Sequence, residues 1–441
     1  MLKWNKSQIS WALFDWANQP FFTVITTFIF APYFTNIVIE NSVDGQAIWG
    51  LLSAISAGII AILSPIFGSM ADVRGPRKPW AFAFCLIGSI FCLGLWYGQP
   101  NHNIYIPIIS FMIATISIEI ATIFNNAMLP IIVETKKMGR LSGFASGIGY
   151  IGGLVPLFIL MFLFILPEKP LLGLDKSLYE PERFSAILTS IWIMLFIMPM
   201  MFFTKDKNKS VQKIPTMDVV KFGFSNLKDT LKNVRSYKNI WVYLLAHTFY
   251  NDGILAVIAF SGIYAVALFK WNTTGLGIFA IILSIVAFIG CIIGGWIDDK
   301  FTSKKTIKLF VALLLLSLIG IVSISEKSVL FGMIPITPKT DNSFLTSQGE
   351  YWLMSFGLLL GFAFGPAQSA SRTLMAHITP KDKMTEFFGL FAFSGKATGF
   401  LAPLLISIVT ITTESNRWGL ASILIFFIIG LIILKFVKYE K

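Results

Sequence analysis

Twelve apolar runs decide what this 441-residue chain can become; they lie at 11–38, 46–70, 79–98, 103–134, 140–166, 184–203, 240–269, 274–298, 305–324, 350–378, 384–410 and 417–437. Each is long enough to cross a hydrocarbon core of ~30 Å. No water is present there to bond a stray N–H or C=O, so each run must be a helix that satisfies its own backbone. Composition agrees, with 55% of residues hydrophobic and 13% charged, where a soluble chain carries roughly 25% charge. The expected fold class is all-α and integral to a membrane, with twelve transmembrane helices.

The formal net charge is +12, and its placement reads as topology. With an even number of spans and the N-terminus inside, the inward segments hold 26 of the 35 Lys and Arg, nine of them in 204–238. By the positive-inside rule this sets both termini in the cytoplasm of a multi-pass protein of the cytoplasmic membrane. No nucleic-acid partner is expected from a basic balance so distributed. The first span follows Met1-Leu-Lys-Trp-Asn-Lys6 directly and lacks a small-residue cleavage site, so it is expected to be retained. Cys85, Cys92 and Cys291 all lie in apolar runs without metal-type spacing and read as small core residues.

The chain is built twice. Gly68-Ser-Met-Ala-Asp72-Val-Arg74-Gly75-Pro-Arg77-Lys78 joins the second and third runs, and Gly295-Trp-Ile-Asp-Asp299-Lys-Phe-Thr-Ser-Lys304-Lys305 joins the eighth and ninth, 227 residues later. A second echo pairs the glycine-rich stretch ending at Pro156 with the one ending at Pro403, 247 residues on. Small residues every three or four positions let helices approach closely. Between the halves, Met217, Val220, Phe224, Leu227, Leu231 and Val234 recur at helical spacing with Lys221, Lys228, Lys232 and Arg235 elsewhere around the helix. This predicts an amphipathic linker helix suited to the inner leaflet. The domains expected are therefore an N-terminal six-helix bundle over 1–203, a cytoplasmic linker over 204–239 and a C-terminal six-helix bundle over 240–441.

Twelve spans, a 6+6 repeat, a basic central loop and Gly-x-x-x-Asp-x-x-Gly-x-[Arg/Lys]-[Arg/Lys] after the second span together resemble the major facilitator superfamily. The motif at 68–78 matches at every defined position, whereas the copy has Thr302 where the second glycine belongs. Within that superfamily, Trp11-Ala-Leu-Phe-Asp15-Trp16-Ala17-Asn18 is similar to the Trp-x-x-Tyr-Asp-Trp-Ala-Asn opening of the autophagy-related vacuolar amino-acid effluxers and their bacterial relatives. Tyr250-Asn-Asp252-Gly253 resembles the Tyr-x-Asp-Gly of the same branch. Phe14 and the Gln19-Pro20 pair depart from that pattern. The resemblance implies two pseudo-symmetric six-helix bundles and transport of an amino acid or similar small polar metabolite.

Five charged residues lie at membrane depth, at least four residues inside the run ends: Asp15, Glu119, Asp252, Arg372 and Lys396. Such a residue costs roughly 2.5–3.5 kcal/mol on insertion scales and is a functional candidate by default. The first four fall one each on spans 1, 4, 7 and 10, the helices that the resemblance implies line a central cavity. Asp15, Glu119 and Asp252 are the expected proton-coupling carboxylates; Asp252 or Glu119 takes a proton when the cavity closes, since an ionised carboxylate is costly in low dielectric. Arg372 or Lys396 is expected to hold an anionic group such as a substrate carboxylate, with Arg better suited to a bidentate grip. Asn18, Asn126, Tyr250, Asn251 and Gln368 are expected to bond the substrate. The alternative is that opposite charges pair across helices and offset each other's desolvation. Three acids against two bases leave at least one carboxylate over.

In the loop motif, Asp72 at the end of a helix can accept from a neighbouring helix N-terminus, while Arg74, Arg77 and Lys78 are expected at the interface. The resemblance implies that Gly68, Asp72, Arg74, Gly75, Arg77 and Lys78 latch the inner ends of the halves, with Asp299 a weaker echo. The partners expected are a small-molecule substrate, the bilayer and protons, and the protein is expected to act as a monomer without cofactor or metal. An integral membrane enzyme or a channel-like facilitator without ion coupling is the alternative. Three scattered histidines (His102, His247, His377) assemble no metal or nucleophile–base cluster, and no filter or nucleotide motif appears, so a secondary transporter working by alternating access is preferred.

Overall fold

The computed structural model describes residues 4–39, 41–206, 215–233, 235–271, 273–339 and 344–439. Among them, twelve helices are long and apolar enough to cross a membrane: Lys6–Val38, Ser42–Arg74, Lys78–Tyr97, Tyr105–Ile132, Thr135–Ile165, Glu180–Phe203, Lys238–Phe269, Thr274–Lys300, Ser303–Val322, Gln348–Ile378, Lys381–Thr413 and Asn416–Lys435, here spans 1 to 12. Each contains or closely overlaps one of the apolar runs. Several run on into their basic ends, at Lys6, Arg74, Lys300 and Lys381, because a long cationic side chain reaches polar surroundings while its stem stays apolar.

The chain forms two compact units, Met1–Asn233 with Thr379–Lys396, and Val234–Ile378 with Ala397–Lys441. Span 11 is divided between them because it is not one helix. It runs from Met384 to Lys396, loses helical form over 397–400, and resumes from Leu401 to Thr413.

In the first unit, span 1 starts from a capping box in which the Asn5 side chain accepts from the Gln8 amide and Gln8 returns the bond. Pro20 lacks an N–H, and from Phe21 to Phe28 the helix widens to π geometry. Span 5 lays its glycines on span 1: a Cβ at Gly152 would stand 2.8 Å from the Trp16 carbonyl oxygen. The expected smooth face of span 5 is thus a packing surface against span 1.

The two units repeat one detail that composition hid. Arg183, at the start of span 6, donates to the Trp96 carbonyl at the end of span 3 and lies 4.5 Å from the Trp96 ring. Arg417, at the start of span 12, donates to the Val322 carbonyl at the end of span 9 at 2.7 Å and lies 5.4 Å from the Phe331 ring. A cation on terminal helix carbonyls, half-covered by an aromatic face, satisfies groups that lipid cannot. In the second unit the segment between spans 9 and 10 makes a short antiparallel pairing of Ser328–Val329 with Ile334–Pro335. Glu350 anchors the start of span 10: its fully buried carboxylate accepts from Trp271 Nε1 (2.6 Å), Lys339 Nζ (2.6 Å) and the amides of Thr346 and Ser347 (3.0 and 2.8 Å).

The linker helix runs from Thr216 to Lys232 and packs on span 2. Its buried residues are Val219, Gly223, Leu227 and Thr230, so the stripe turned inward is offset from the expected one. Val234 lies outside the described residues.

The close approach of spans 1 and 5 yields a stability prediction. Gly152→Val should lower the thermal midpoint of the purified protein by an amount matching ~1–3 kcal/mol of overpacking, whereas Gly50→Val, with nothing within 4 Å of its Cβ position, should leave it unchanged. Differential scanning fluorimetry of both variants in one detergent checks the contrast.

Candidate functional site

The first unit carries an interlocked polar cluster at the basic end of span 2. Gly68 makes it reachable: a Cβ there would lie 2.3 Å from the Thr385 carbonyl oxygen, so only glycine lets spans 2 and 11 meet. Gly75 ends span 2 at φ 100°, a backbone region that L side chains rarely adopt. Asp72, so placed, accepts from the Glu386 amide in the first turn of Met384–Lys396 at 2.8 Å. Helix N-terminal amides with their dipole favour a carboxylate there. Arg77 Nη2 reaches Asp72 Oδ1 at 3.1 Å, its Nε donates to Thr385 Oγ1 at 2.7 Å, and Thr385 in turn donates to Asp72 at 2.8 Å.

Arg77 is thus buried, at 2% exposure, rather than an interface anchor as expected, because both edges of its guanidinium are matched by acceptors. Arg74 is exposed. Lys78 is half-buried, its ammonium on the Met201 carbonyl (3.1 Å) and its amide, with that of Arg77, on the Asp206 carboxylate. Ser69 Oγ stands 2.8 Å from the Gly223 carbonyl oxygen of the linker helix and 3.0 Å from Glu386 Oε2. Glu386, Thr385 and Ser69 carry no mark in the sequence as members of this cluster; the only signal for the first two is their repeat position beside Met384.

Among the membrane-embedded charges, Glu119 and Lys396 form a 2.7 Å ion pair inside the first unit, each only part-exposed. Lys396 reaches it because it ends the helical segment before the 397–400 break. Asp15 is half-buried and packs against Gly149 of span 5. Asn18 is buried, donating to the Phe14 carbonyl at 3.1 Å and lying beside Cys85 Sγ, so its amide is engaged in packing spans 1 and 3. Asn126 is half-buried on span 4.

The second unit holds the rest. Tyr250 is buried with its hydroxyl 2.7 Å from Ser371 Oγ and 3.3 Å from the Tyr243 hydroxyl, and Tyr243 donates to the Ser371 carbonyl at 2.7 Å. These bonds tie span 7 to span 10. His247 stands edge-on to the Tyr250 ring, centroids 5.4 Å apart. Asn251 and Gln368 are half-buried, and Arg372 is 7% exposed on span 10, one residue from Ser371. Asp252 differs from every other acid described. It is 2% exposed at the middle of span 7, and neither carboxylate oxygen has a hydrogen bond of ordinary geometry. The Thr398 hydroxyl, in the break of span 11, lies beside it and is itself without such a bond.

In the copy of the loop, Asp299 is half-buried and the buried acid is its neighbour Asp298, at 3% exposure. Gly294 repeats the four-residue spacing to Asp298, and a Cβ there would strike Pro366 of span 10 at 2.4 Å; a one-residue shift of register finds the pair. Among the described residues no group of three or more His, Cys, Asp or Glu is placed to hold a metal ion. A crevice of about 270 Å³ lined by Phe260, Tyr264, Ile406 and Thr410 is apolar and lies about 12 Å along span 7 from Asp252, away from the charges.

Comparison with known proteins accords with this geometry. A family model described as "Vacuole effluxer Atg22 like" matches residues 37–441. An uncharacterized MFS-type transporter of Bacillus subtilis (strain 168), YxiO, is 27% identical over 443 residues, 100% of this chain and 96% of that protein. Autophagy-related protein 22 of Kluyveromyces lactis is 20% identical over 375 residues, 80% of this chain and 72% of its own. Among solved structures, the major facilitator superfamily transporter FucP, crystallised in the outward conformation, superposes with a TM-score of 0.71 at 12% identity, covering 99% of both chains. At that identity the likeness shows the fold, which is the major facilitator fold.

Removing one member of a buried pair leaves the other charge uncompensated, at ~3–5 kcal/mol. Asp72→Asn should therefore lower thermal stability and speed amide exchange at residues 384–388 at least about tenfold. Asp72→Asn combined with Arg77→Ala should be less damaging than the sum of the two. Hydrogen exchange with mass detection, run on the single and double variants, checks both outcomes; additive losses would show that Asp72 and Arg77 act separately.

Proposed function

This chain belongs to the Atg22-like vacuole effluxer family, and from that premise we propose that it moves a small polar metabolite, an amino acid or a close analogue, by alternating access driven by protons. The halves 1–203 and 240–441 are the moving parts, joined by the 204–239 linker. In this reading it acts as a monomer in the cytoplasmic membrane with both termini inside, an orientation that the placement of its Lys and Arg supports.

The observation that carries the coupling is Asp252. A carboxylate with no cation and no ordinary hydrogen bond, 2% exposed at mid-span, is costly when ionised and stable when protonated. Glu119 is a poorer carrier because Lys396 at 2.7 Å holds its charge. Alternating access would open the surroundings of Asp252 to water on one side, allow its proton to leave, and close again only after reprotonation. Arg372, buried two turns from the end of its span, is the cation proposed to hold the substrate carboxylate, and Asn126, Asn251 and Gln368, on spans 4, 7 and 10, are the proposed donors. Asp15, Asn18, Tyr250 and Lys396 have their roles here through packing and ion pairing. The Asp72 cluster is proposed as the latch that holds span 11 to span 2 in one of the two states, with the turn at 298–299 its counterpart. The amino-acid class rests on the family resemblance.

Two measurements test the reading. In proteoliposomes, counterflow against a panel of amino acids should identify a substrate; a ligand screen that finds only other chemistries would sink the class. With that substrate, Asp252→Asn should cut accumulation driven by an imposed proton gradient at least about tenfold, since neutral Asn cannot cycle a proton, while counterflow persists. Gradient-driven accumulation that survives the substitution with an unchanged pH profile leaves Asp252 out of the coupling and favours a facilitator without an ion.

A further inference from the structure

The linker helix Thr216–Lys232 has two apolar faces, and span 2 uses only one. Val219, Leu227 and Thr230 are at most 9% exposed, on the side where Gly223 meets Met70. At about 100° per residue, Met217, Val220, Phe224 and Leu231 fall within about 60° beside that docked face. Met217, Phe224 and Leu231 are 67%, 50% and 47% exposed. The next 40° or so holds Lys221, Lys228 and Lys232, with Asp218 and Asp229 farther round. The order around the helix is docked face, apolar row, lysine row and acids, with Phe222, 54% exposed, isolated beyond the acids.

Depth selects the occupant. The contacts at Ser69 and Met70 set the helix four to five residues before the end of span 2 at Arg74, about 6–8 Å along the span. The polar boundary layer of a bilayer is about 5–8 Å thick on each side. An apolar row at that level with lysines along its edge matches the acyl and headgroup zones of an anionic leaflet. We propose that this helix docks on anionic lipid through Met217, Phe224 and Leu231 below and Lys221, Lys228 and Lys232 at the headgroups, and that docking tightens the Asp72 cluster. The coupling is mechanical. The same helix holds Ser69 through the Gly223 carbonyl at 2.8 Å and Lys383 through Thr230 Oγ1 at 2.5 Å, and Lys383 stands 3.8 Å from Glu386. A lipid that fixes the helix fixes the two residues that flank the span 2–span 11 contact.

The test uses the full chain in nanodiscs of phosphatidylcholine alone or with about one-third phosphatidylglycerol, read by hydrogen exchange, so it is independent of any transport activity. Phosphatidylglycerol should slow exchange of the 216–232 and 384–388 amides about three- to tenfold. The triple variant Lys221→Gln, Lys228→Gln, Lys232→Gln should match the unsubstituted chain in phosphatidylcholine and lose the phosphatidylglycerol response. Phe224→Ser with Leu231→Ser should lose protection of 216–232 in both lipids. A wild-type chain indifferent to phosphatidylglycerol, or a triple variant that still responds, overturns the proposal. Protection reproduced in phosphatidylcholine discs by soluble inorganic phosphate or polyphosphate would also overturn it, assigning the lysines to a dissolved anion.

Discussion

Lipid offers no hydrogen bonds, and most of this structure is a response to that. Each span closes its own backbone, and where a span ends or bends a side chain takes over: Asn5 at the start of span 1, Asp206 on the amides of Arg77 and Lys78, Arg183 and Arg417 on the terminal carbonyls of spans 3 and 9. Glu350 shows how far the response goes. A carboxylate with no exposure is held by an indole, an ammonium, a hydroxyl and three amides, enough donors to make an ionised group tolerable where water is absent.

Against that background the incomplete sites stand out. Glu119 and Lys396 offset each other, and the Asp72–Arg77–Thr385 chain closes on itself through the Glu386 amide. Asp252 is held by nothing comparable, although span 7 elsewhere satisfies Tyr243 and Tyr250 through Ser371. A carboxylate left this way is costly to ionise, and the proposed proton coupling rests on that. The break of span 11 at 397–400 falls between these two regimes, with Lys396 on one side serving Glu119 and Thr398 on the other beside Asp252.

Duplication gave both halves the same skeleton and different terminations. The arginine-on-carbonyl staple survives in both. The loop after span 2 retains Gly75 in a conformation that L side chains rarely adopt, whereas Thr302 in the copy sits in extended backbone as the N-cap of span 9, its hydroxyl accepting from the Lys305 amide. A cap is a good use for threonine and ends the preceding turn differently, so the buried acid shifts to Asp298.

The sequence by itself determined the spans, their number and the duplication, because burial in lipid demands long apolar helices and that demand is written locally, residue after residue. It also flagged the five charges set well inside the runs, since a charge there is conspicuous, but passed over Asp298, Glu350 and Glu386 at the run ends. Which charge meets which was settled by the tertiary structure. Glu119 and Lys396 lie 277 residues apart in the chain, and Asp72 finds its amide 314 residues away, distances over which no periodicity carries information. The same holds for Arg77, whose burial follows from acceptors on a distant segment, and for the linker helix, whose inward stripe was set by the glycine that fits against Met70 rather than by its most hydrophobic side. Local physics chose the helices; only their packing decided which polar groups are satisfied, and left Asp252 as the one acid described that is buried without a cation or an ordinary hydrogen bond.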